Sequence, residues 1–185
     1  FDLKMACQTI KGVTIKKEQR MIESWLDSID IIGSLPAADA SAENHLNIVM
    51  GWAKDTCKRL HVHVDQLNTP EEKETEMLAQ ATLDHGLQGK VRGVHAISLA
   101  AQPLDDQYRV AKLLKKAGVG IVICPSAALS MKPVEGMAPI HNSIAPIQLL
   151  NEVGVDLSLG LDNMSDLFMP LVDGDMWFEA RILME

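Results

Sequence analysis

The chain has 185 residues, enough for one ordinary domain, and its formal net charge of −8 argues against a broad nucleic-acid surface, which needs clustered Lys and Arg. The three widely spaced cysteines, Cys7, Cys57 and Cys124, form no Cys-x-x-Cys pair. This argues against a disulfide framework or a thiolate zinc site and favours a cytoplasmic protein. No signal peptide is visible, and no apolar run approaches the ~18–20 residues of a membrane helix.

Short apolar runs alternate with longer amphipathic stretches along the whole chain. The predicted strands cover residues 2–7, 29–35, 60–64, 91–95, 120–124 and 155–160. The predicted helices between them cover residues 17–28, 42–58, 70–85, 105–117 and 146–152. Such alternation implies a parallel sheet covered by helices, either a doubly wound open sheet or part of a (β/α)8 barrel. No Gly-x-Gly-x-x-Gly or P-loop follows a strand, which argues against nucleotide binding.

Two helix starts have strong local signals. Ser41 is the predicted N-cap of the second helix. Thr69 is the predicted N-cap of the third helix, with Pro70 at its first position and carboxylates in its first turn. Two histidines on these helices or at their ends, His45 and His85, are predicted to be surface residues.

Polar side chains cluster where predicted strands end. The carboxyl ends of parallel strands meet at one edge of a sheet, where (β/α)8 enzymes build their active sites. Imidazole and carboxylate are ligands suited to Zn²⁺ or Fe²⁺. A single histidine or aspartate is more often structural, but three strand ends carrying His, His and Asp are hard to attribute to chance. The polar residues at these strand ends are His63, Asp65 and Gln66 at the end of one strand, His95 at the end of the next, and Asp162 with Asn163 at the end of the last.

The run His61-Val-His-Val-Asp-Gln66 places its two histidines on one face of a predicted strand, as in strands that present imidazoles to a metal. The pattern alone leaves open whether both of them bind. His141, in a loop predicted over residues 125–143, is ambiguous between a structural and a functional role.

These segments resemble the amidohydrolase superfamily, and within it the cytosine deaminase-like branch, including members that remove an alkylamine from an s-triazine ring. The resemblance covers essentially the whole chain and aligns it with about strands 3 to 8 of a metal-dependent hydrolase (β/α)8 barrel. The matching segments are residues 29–36 (IDIIGSLP), 61–66 (HVHVDQ), 93–95 (GVH), 120–125 (GIVICP), 160–163 (GLDN), 162–171 (DNMSDLFMPL) and 174–177 (GDMW).

The resemblance implies a hydrolase that cleaves a C–N bond of an amino-substituted nitrogen heterocycle with one divalent metal, zinc or iron. His63 corresponds to a metal ligand. Asp162 corresponds to a second ligand, which is also the base that takes a proton from water. His95 corresponds to a histidine that polarises the substrate or the bound hydroxide. The expected substrate-binding positions are Gln66, Asn163 and His61.

The chain also departs from that branch. Gln66 stands where cytosine deaminases carry a proton-shuttling Glu, and glutamine cannot titrate. Ile10 falls where those enzymes place a substrate-binding Gln, Leu161 replaces a His, and Asn163 replaces a second Asp. These changes favour an amino- or alkylamino-substituted heterocycle other than cytosine, such as another pyrimidine or an s-triazine.

The resemblance further implies a strand-1 His-x-His and a barrel of ~250 residues, and this stretch contains neither. Two βα units precede residues 61–66, so that motif is assigned to strand 5 rather than strand 1. We expect residues 1–185 to be a single partial barrel domain and a fragment of a longer chain, completed by that chain, a complementing segment or another copy. The alternative hypotheses are a non-catalytic ligand-binding or assembly module and a doubly wound sheet that binds an anion. No nucleic-acid or membrane partner is expected.

Overall fold

The computed structural model of the chain describes residues 2–130, 144–170 and 172–184. Most of the loop predicted after residue 125 lies outside these ranges, and so does His141. Among the described residues, no helix combines the length and the apolar character needed to span a membrane.

Strands and helices alternate as predicted. The strands are β1 (Ala6–Cys7), β2 (Ile31–Ser34), β3 (Arg59–Val64), β4 (Val91–His95), β5 (Gly120–Ile123) and β6 (Leu157–Leu159). The α-helices are α1 (Lys16–Glu23), α2 (Ala42–Thr56), α3 (Glu74–His85), α4 (Leu104–Ala117), α5 (Pro125–Ser130), α6 (Ile147–Val153) and α7 (Met176–Met184). The first predicted helix is shorter than expected and is followed by a separate 3-10 turn over Leu26–Ser28. Helix α5 was predicted as loop.

The six strands form one parallel sheet in the consecutive order β1-β2-β3-β4-β5-β6. A doubly wound sheet reverses its strand order at a switch point, whereas a (β/α)8 barrel adds each strand beside the previous one. The consecutive order therefore decides between the two predicted architectures. The fold is a partial (β/α)8 barrel, and within the described residues β1 and β6 each pair with one neighbour only.

The side chains of β3 show how the sheet separates its two faces. Leu60, Val62 and Val64 are fully buried in the main core, whereas His61 and His63 between them are half-buried. Because strand side chains alternate, the three aliphatic residues point to the helical layer and both histidines point to the other face. Full burial stabilises the fold by about 1.5–3 kcal/mol for each such aliphatic side chain, which commits β3 to this register.

The two predicted helix starts have opposite outcomes. The prediction for α2 is confirmed, because Ser41 Oγ accepts the backbone N–H of Asn44 at 3.2 Å. The prediction for α3 is wrong, because that helix begins at Glu74. Asp65 Oδ1, nine residues upstream, accepts the N–H groups of Glu74 at 2.8 Å and Thr75 at 3.3 Å, and so satisfies two donors in the first turn of α3.

His45 was predicted to be a surface residue, and it is completely buried. Its Nδ1 lies 2.7 Å from Asp39 Oδ2, and its Nε2 lies 2.8 Å from Ser34 Oγ and 3.4 Å from Thr9 Oγ1. Asp39 in turn accepts the N–H of Val13 at 2.7 Å. This buried His45 network ties the segment after β1 to the end of β2 and to α2.

Candidate metal centre

Three of the predicted site residues come together at the carboxyl edge of the sheet. His63 lies near the end of β3, His95 ends β4, and Asp162 follows β6. One ligand atom from each lies within 4.8 Å of the other two. His95 Nε2 is 3.3 Å from His63 Nδ1 and 3.9 Å from Asp162 Oδ1. We call these three residues the metal cluster.

The backbone turns sharply where two of these strands end. His95 has φ +76°, the following Ala96 has φ +52°, and Asp162 has φ +66°. Non-glycine residues rarely adopt this left-handed region, and such strain is found disproportionately at functional sites. In the sheet register His95 pairs with Val64, whose side chain is buried in the main core. The turn at His95 accounts for how its ring nevertheless reaches His63.

Burial keeps both imidazoles of the metal cluster neutral. It lowers the pKa of His95 to about 4, and burial together with the neighbouring His95 lowers the pKa of His63 to about 4. Burial raises the pKa of Asp162, although the nearby His63 opposes that shift. Because a neutral imidazole has a free lone pair, these conditions favour coordination of a cation.

The donor set fits a divalent metal. His63 Nδ1 and His95 Nε2 lie 3.3 Å apart, so an ion held by His63 and Asp162 would lie next to the His95 ring. The second ring nitrogen of His95 is buried and has no hydrogen-bond partner among the described residues. Two imidazoles and one carboxylate are hard-to-borderline ligands of a kind that binds either Zn²⁺ or Fe²⁺.

The three expected substrate-binding residues lie in different surroundings. Gln66 is half-buried and follows β3 by two residues. The side-chain amide of Asn163 donates to Asp166 Oδ2 at 2.7 Å. His61 is not part of the metal cluster, since it lies two residues earlier on β3, beside Arg92 of β4. Burial and the positive charges of Arg92 and Arg59 lower the pKa of His61.

The sequence did not predict the places of two further residues, Cys124 and Glu179. Cys124 follows β5, and burial, aided by the charge of Asp162, raises the pKa of its thiol to about 12. Glu179 of α7 is buried and accepts the N–H of Ser126 at 2.9 Å, so it holds the start of α5. Neither residue has a sequence signal, because each role depends on a contact far along the chain.

Comparison with known proteins yields relatives that are consistent with this geometry. No protein-family model matches the sequence. An uncharacterized protein of Haemophilus influenzae is 34% identical over 158 residues, which are 83% of this chain and 57% of that protein. N-isopropylammelide isopropyl amidohydrolase of Pseudomonas sp. strain ADP is 27% identical over 180 residues, which are 95% of this chain and 41% of that protein. The chain thus spans about half the length of the curated relatives it matches.

A solved structure extends the likeness to the fold. The structure of 5-methylcytosine deaminase from Klebsiella pneumoniae, liganded with 5-fluorocytosine, superposes with a TM-score of 0.89 at 16% identity. It covers 100% of this chain and 46% of the deaminase chain. The parallel, consecutively ordered sheet carries His63, His95 and Asp162 at its carboxyl edge, where (β/α)8 barrels place their active sites. These relatives and this fold fit the amidohydrolase superfamily.

Proposed function

We propose that the protein carrying this chain is a metal-dependent hydrolase that cleaves an exocyclic C–N bond of an amino-substituted nitrogen heterocycle. The observation that carries the proposal is the metal cluster, in which ligand atoms of His63, His95 and Asp162 lie within 4.8 Å of one another at the carboxyl edge of the sheet. This is the edge where (β/α)8 enzymes perform their chemistry.

The substrate class is argued from the relatives together with the site. One relative bears the name of an enzyme acting on N-isopropylammelide, and the structural neighbour is a 5-methylcytosine deaminase. Both names describe removal of an amino or alkylamino group from a nitrogen heterocycle. We therefore propose a pyrimidine or an s-triazine as the substrate, with deamination or dealkylamination as the reaction.

The residues of the metal cluster would divide the work. His63 and Asp162 would hold one divalent ion, zinc or iron, whose Lewis acidity lowers the pKa of water from 15.7 toward ~7. Asp162 would accept a proton from the attacking water and return it to the leaving nitrogen, so that water and the amino-heterocycle become the hydroxy-heterocycle and an amine. His95, whose Nε2 lies 3.3 Å from His63 Nδ1, would polarise the substrate or the attacking water beside that ion.

Gln66 and Asn163 are the proposed contacts to the heterocycle. A glutamine amide both donates and accepts hydrogen bonds, so Gln66 can orient a ring edge but cannot shuttle a proton. Asn163 would keep its carbonyl oxygen for substrate, since its amide nitrogen donates to Asp166. His61 lies beside Arg92 and outside the metal cluster, so we propose no contact between His61 and the heterocycle.

We also propose that residues 1–185 form one domain that is part of a larger barrel. Six strands are two fewer than a (β/α)8 barrel requires. Large apolar side chains are exposed near both ends of the sheet, among them Leu3 and Met5 near β1 and Leu167, Phe168 and Trp177 after β6. Two more strands, from the longer protein or from a complementing segment, would cover this surface.

The test measures metal content and turnover of the full-length protein. We expect about one equivalent of zinc or iron, and measurable release of amine from aminated pyrimidines or s-triazines. The Asp162→Asn variant should lose about 10²–10⁴-fold in turnover, because an amide cannot accept the proton. The matched control is Asp84→Asn, which alters an exposed carboxylate on α3.

Two outcomes would contradict the proposal. One is less than about half an equivalent of metal after metal-supplemented expression, which a site of this kind should exceed. The other is turnover by Asp162→Asn equal to that of the Asp84→Asn control. Saturable binding of a heterocycle without any turnover would instead favour the non-catalytic binding module.

A further inference from the structure

We propose that a second site, at the amino-terminal end of the sheet, binds a small oxyanion of the phosphate class. A cavity of about 120 Å³ opens there, far smaller than the ~300–1,000 Å³ of pockets that enclose drug-sized ligands. We call it the basic pocket. The basic pocket is lined by Arg59, His61, Lys90, Val91, Arg92 and Asp156, together with three glycines, Gly89, Gly118 and Gly120.

The topology explains why these residues meet. Arg59 begins β3, Lys90 immediately precedes β4, and Gly120 begins β5. Arg92 pairs in register with His61 on one side and with Gly120 on the other. The basic pocket therefore lies at the start of the strands, whereas the metal cluster lies where the strands end.

The basic pocket concentrates positive charge on an acidic protein. Arg59, Lys90 and Arg92 oppose a single carboxylate, Asp156, while the whole chain has a formal net charge of −8. Like charges gathered at one place repel one another, and a bound anion relieves that repulsion.

The guanidinium of Arg92 is held in place for such a ligand. It donates through Nη2 to Asp156 Oδ2 at 2.7 Å and through Nη1 to Ser158 Oγ at 3.2 Å. An arginine has five N–H donors, so these two bonds leave others to meet an oxyanion in the fork geometry that guanidinium favours.

Gly120 provides the space that this arrangement needs. A Cβ atom at residue 120 would lie 2.4 Å from Arg92 Nη1 and 3.0 Å from the carbonyl oxygen of Asp156. Any side chain there would push the guanidinium out of position. The half-buried His61 also lines the basic pocket.

The test is a titration of the full-length protein with inorganic phosphate, at constant ionic strength maintained with sodium chloride. We expect saturable binding of phosphate that weakens at least about tenfold in the Arg59→Gln/Lys90→Gln double variant, because charge-assisted contacts are lost. Both side chains belong to exposed residues, so the double variant should fold. The matched control is Lys112→Gln/Lys116→Gln on α4, which removes the same charge elsewhere and should bind as the parent does.

A third variant separates this site from the proposed metal chemistry. His63→Gln disables the metal cluster and should leave phosphate binding unchanged, since His63 does not line the basic pocket. The inference is overturned if phosphate binding does not saturate, if the Arg59→Gln/Lys90→Gln variant binds like its control, or if His63→Gln abolishes binding. None of these results bears on whether the protein hydrolyses a heterocycle.

Discussion

The buried His45 network makes the sharpest prediction about stability. His45→Leu keeps a side chain of similar bulk but removes both ring nitrogens. One loss is the 2.7 Å contact with Asp39 Oδ2, of the charged kind that contributes about 1.5–3 kcal/mol. The other is the 2.8 Å contact that satisfies the Ser34 hydroxyl, and an orphaned buried hydroxyl costs about 1–3 kcal/mol.

Together these losses predict that the free energy of unfolding falls by about 2.5–6 kcal/mol, a large share of the ~5–15 kcal/mol typical of a domain. Urea denaturation followed by tryptophan fluorescence measures it. Adding Ser34→Ala to His45→Leu should recover about 1 kcal/mol, because the orphaned hydroxyl is then gone. The control, His85→Leu, removes a half-buried histidine whose contact is Asn47 at 3.2 Å, and should change stability by less than about 1 kcal/mol.

The pH dependence of the same variant checks the sign of the argument. Burial lowers the pKa of His45 below its ordinary value of 6.5, although Asp39 opposes the shift. The folded chain therefore holds His45 neutral, and its contribution is complete above pH 6.5 and is lost as the pH falls through the lowered pKa. The stability difference between parent and His45→Leu should shrink on acidification. A difference below about 1 kcal/mol at pH 8 would refute the reasoning.

Two further predictions concern the sheet and the end of β3. Gly33→Ala should destabilise the protein by about 1–3 kcal/mol in urea denaturation and speed amide exchange in β2, because a Cβ atom at residue 33 would lie 1.8 Å from the Cys7 carbonyl oxygen. The control Gly51→Ala places its methyl group in open space on α2 and should not destabilise the protein. Equal effects of the two substitutions would contradict this prediction. Burial raises the pKa of Glu74 to about 7, so ionisation of this carboxyl group lowers the free energy of unfolding as the pH rises from 4.5 through 7. Glu74→Gln should therefore raise the urea midpoint at pH 8 but not at pH 4. An unchanged midpoint at pH 8 would contradict this prediction.

The layout of the site was predictable because it follows from periodicity alone. Alternating strands and helices specify a parallel sheet, and the carboxyl ends of parallel strands share one edge. The sequence alone therefore predicts that His63, His95 and Asp162 lie at one edge of the sheet. The order of the strands was not predictable in this way, since doubly wound sheets and barrels share the same alternation.

Features that depend on long-range contacts escaped the sequence. Thr69 and Pro70 satisfy the local rules for a helix start, yet α3 begins later because the Asp65 carboxylate captures the N–H groups of Glu74 and Thr75. The burial of His45, by contrast, has a signal in the sequence. His45 lies in helical spacing with the buried residues Val49 and Trp52, but a histidine is usually read as a surface residue until its partners are known.

The consecutive strand order has a consequence for how the protein is made. As the chain leaves the ribosome, β4 follows β3, so the contact between His63 and His95 can form before β5 and β6 have been synthesised. The carboxylate of Asp162 arrives only after two further strands have been added. Since ligands assembled by folding couple metal affinity to folding itself, full metal retention would report that the last of the six strands has docked.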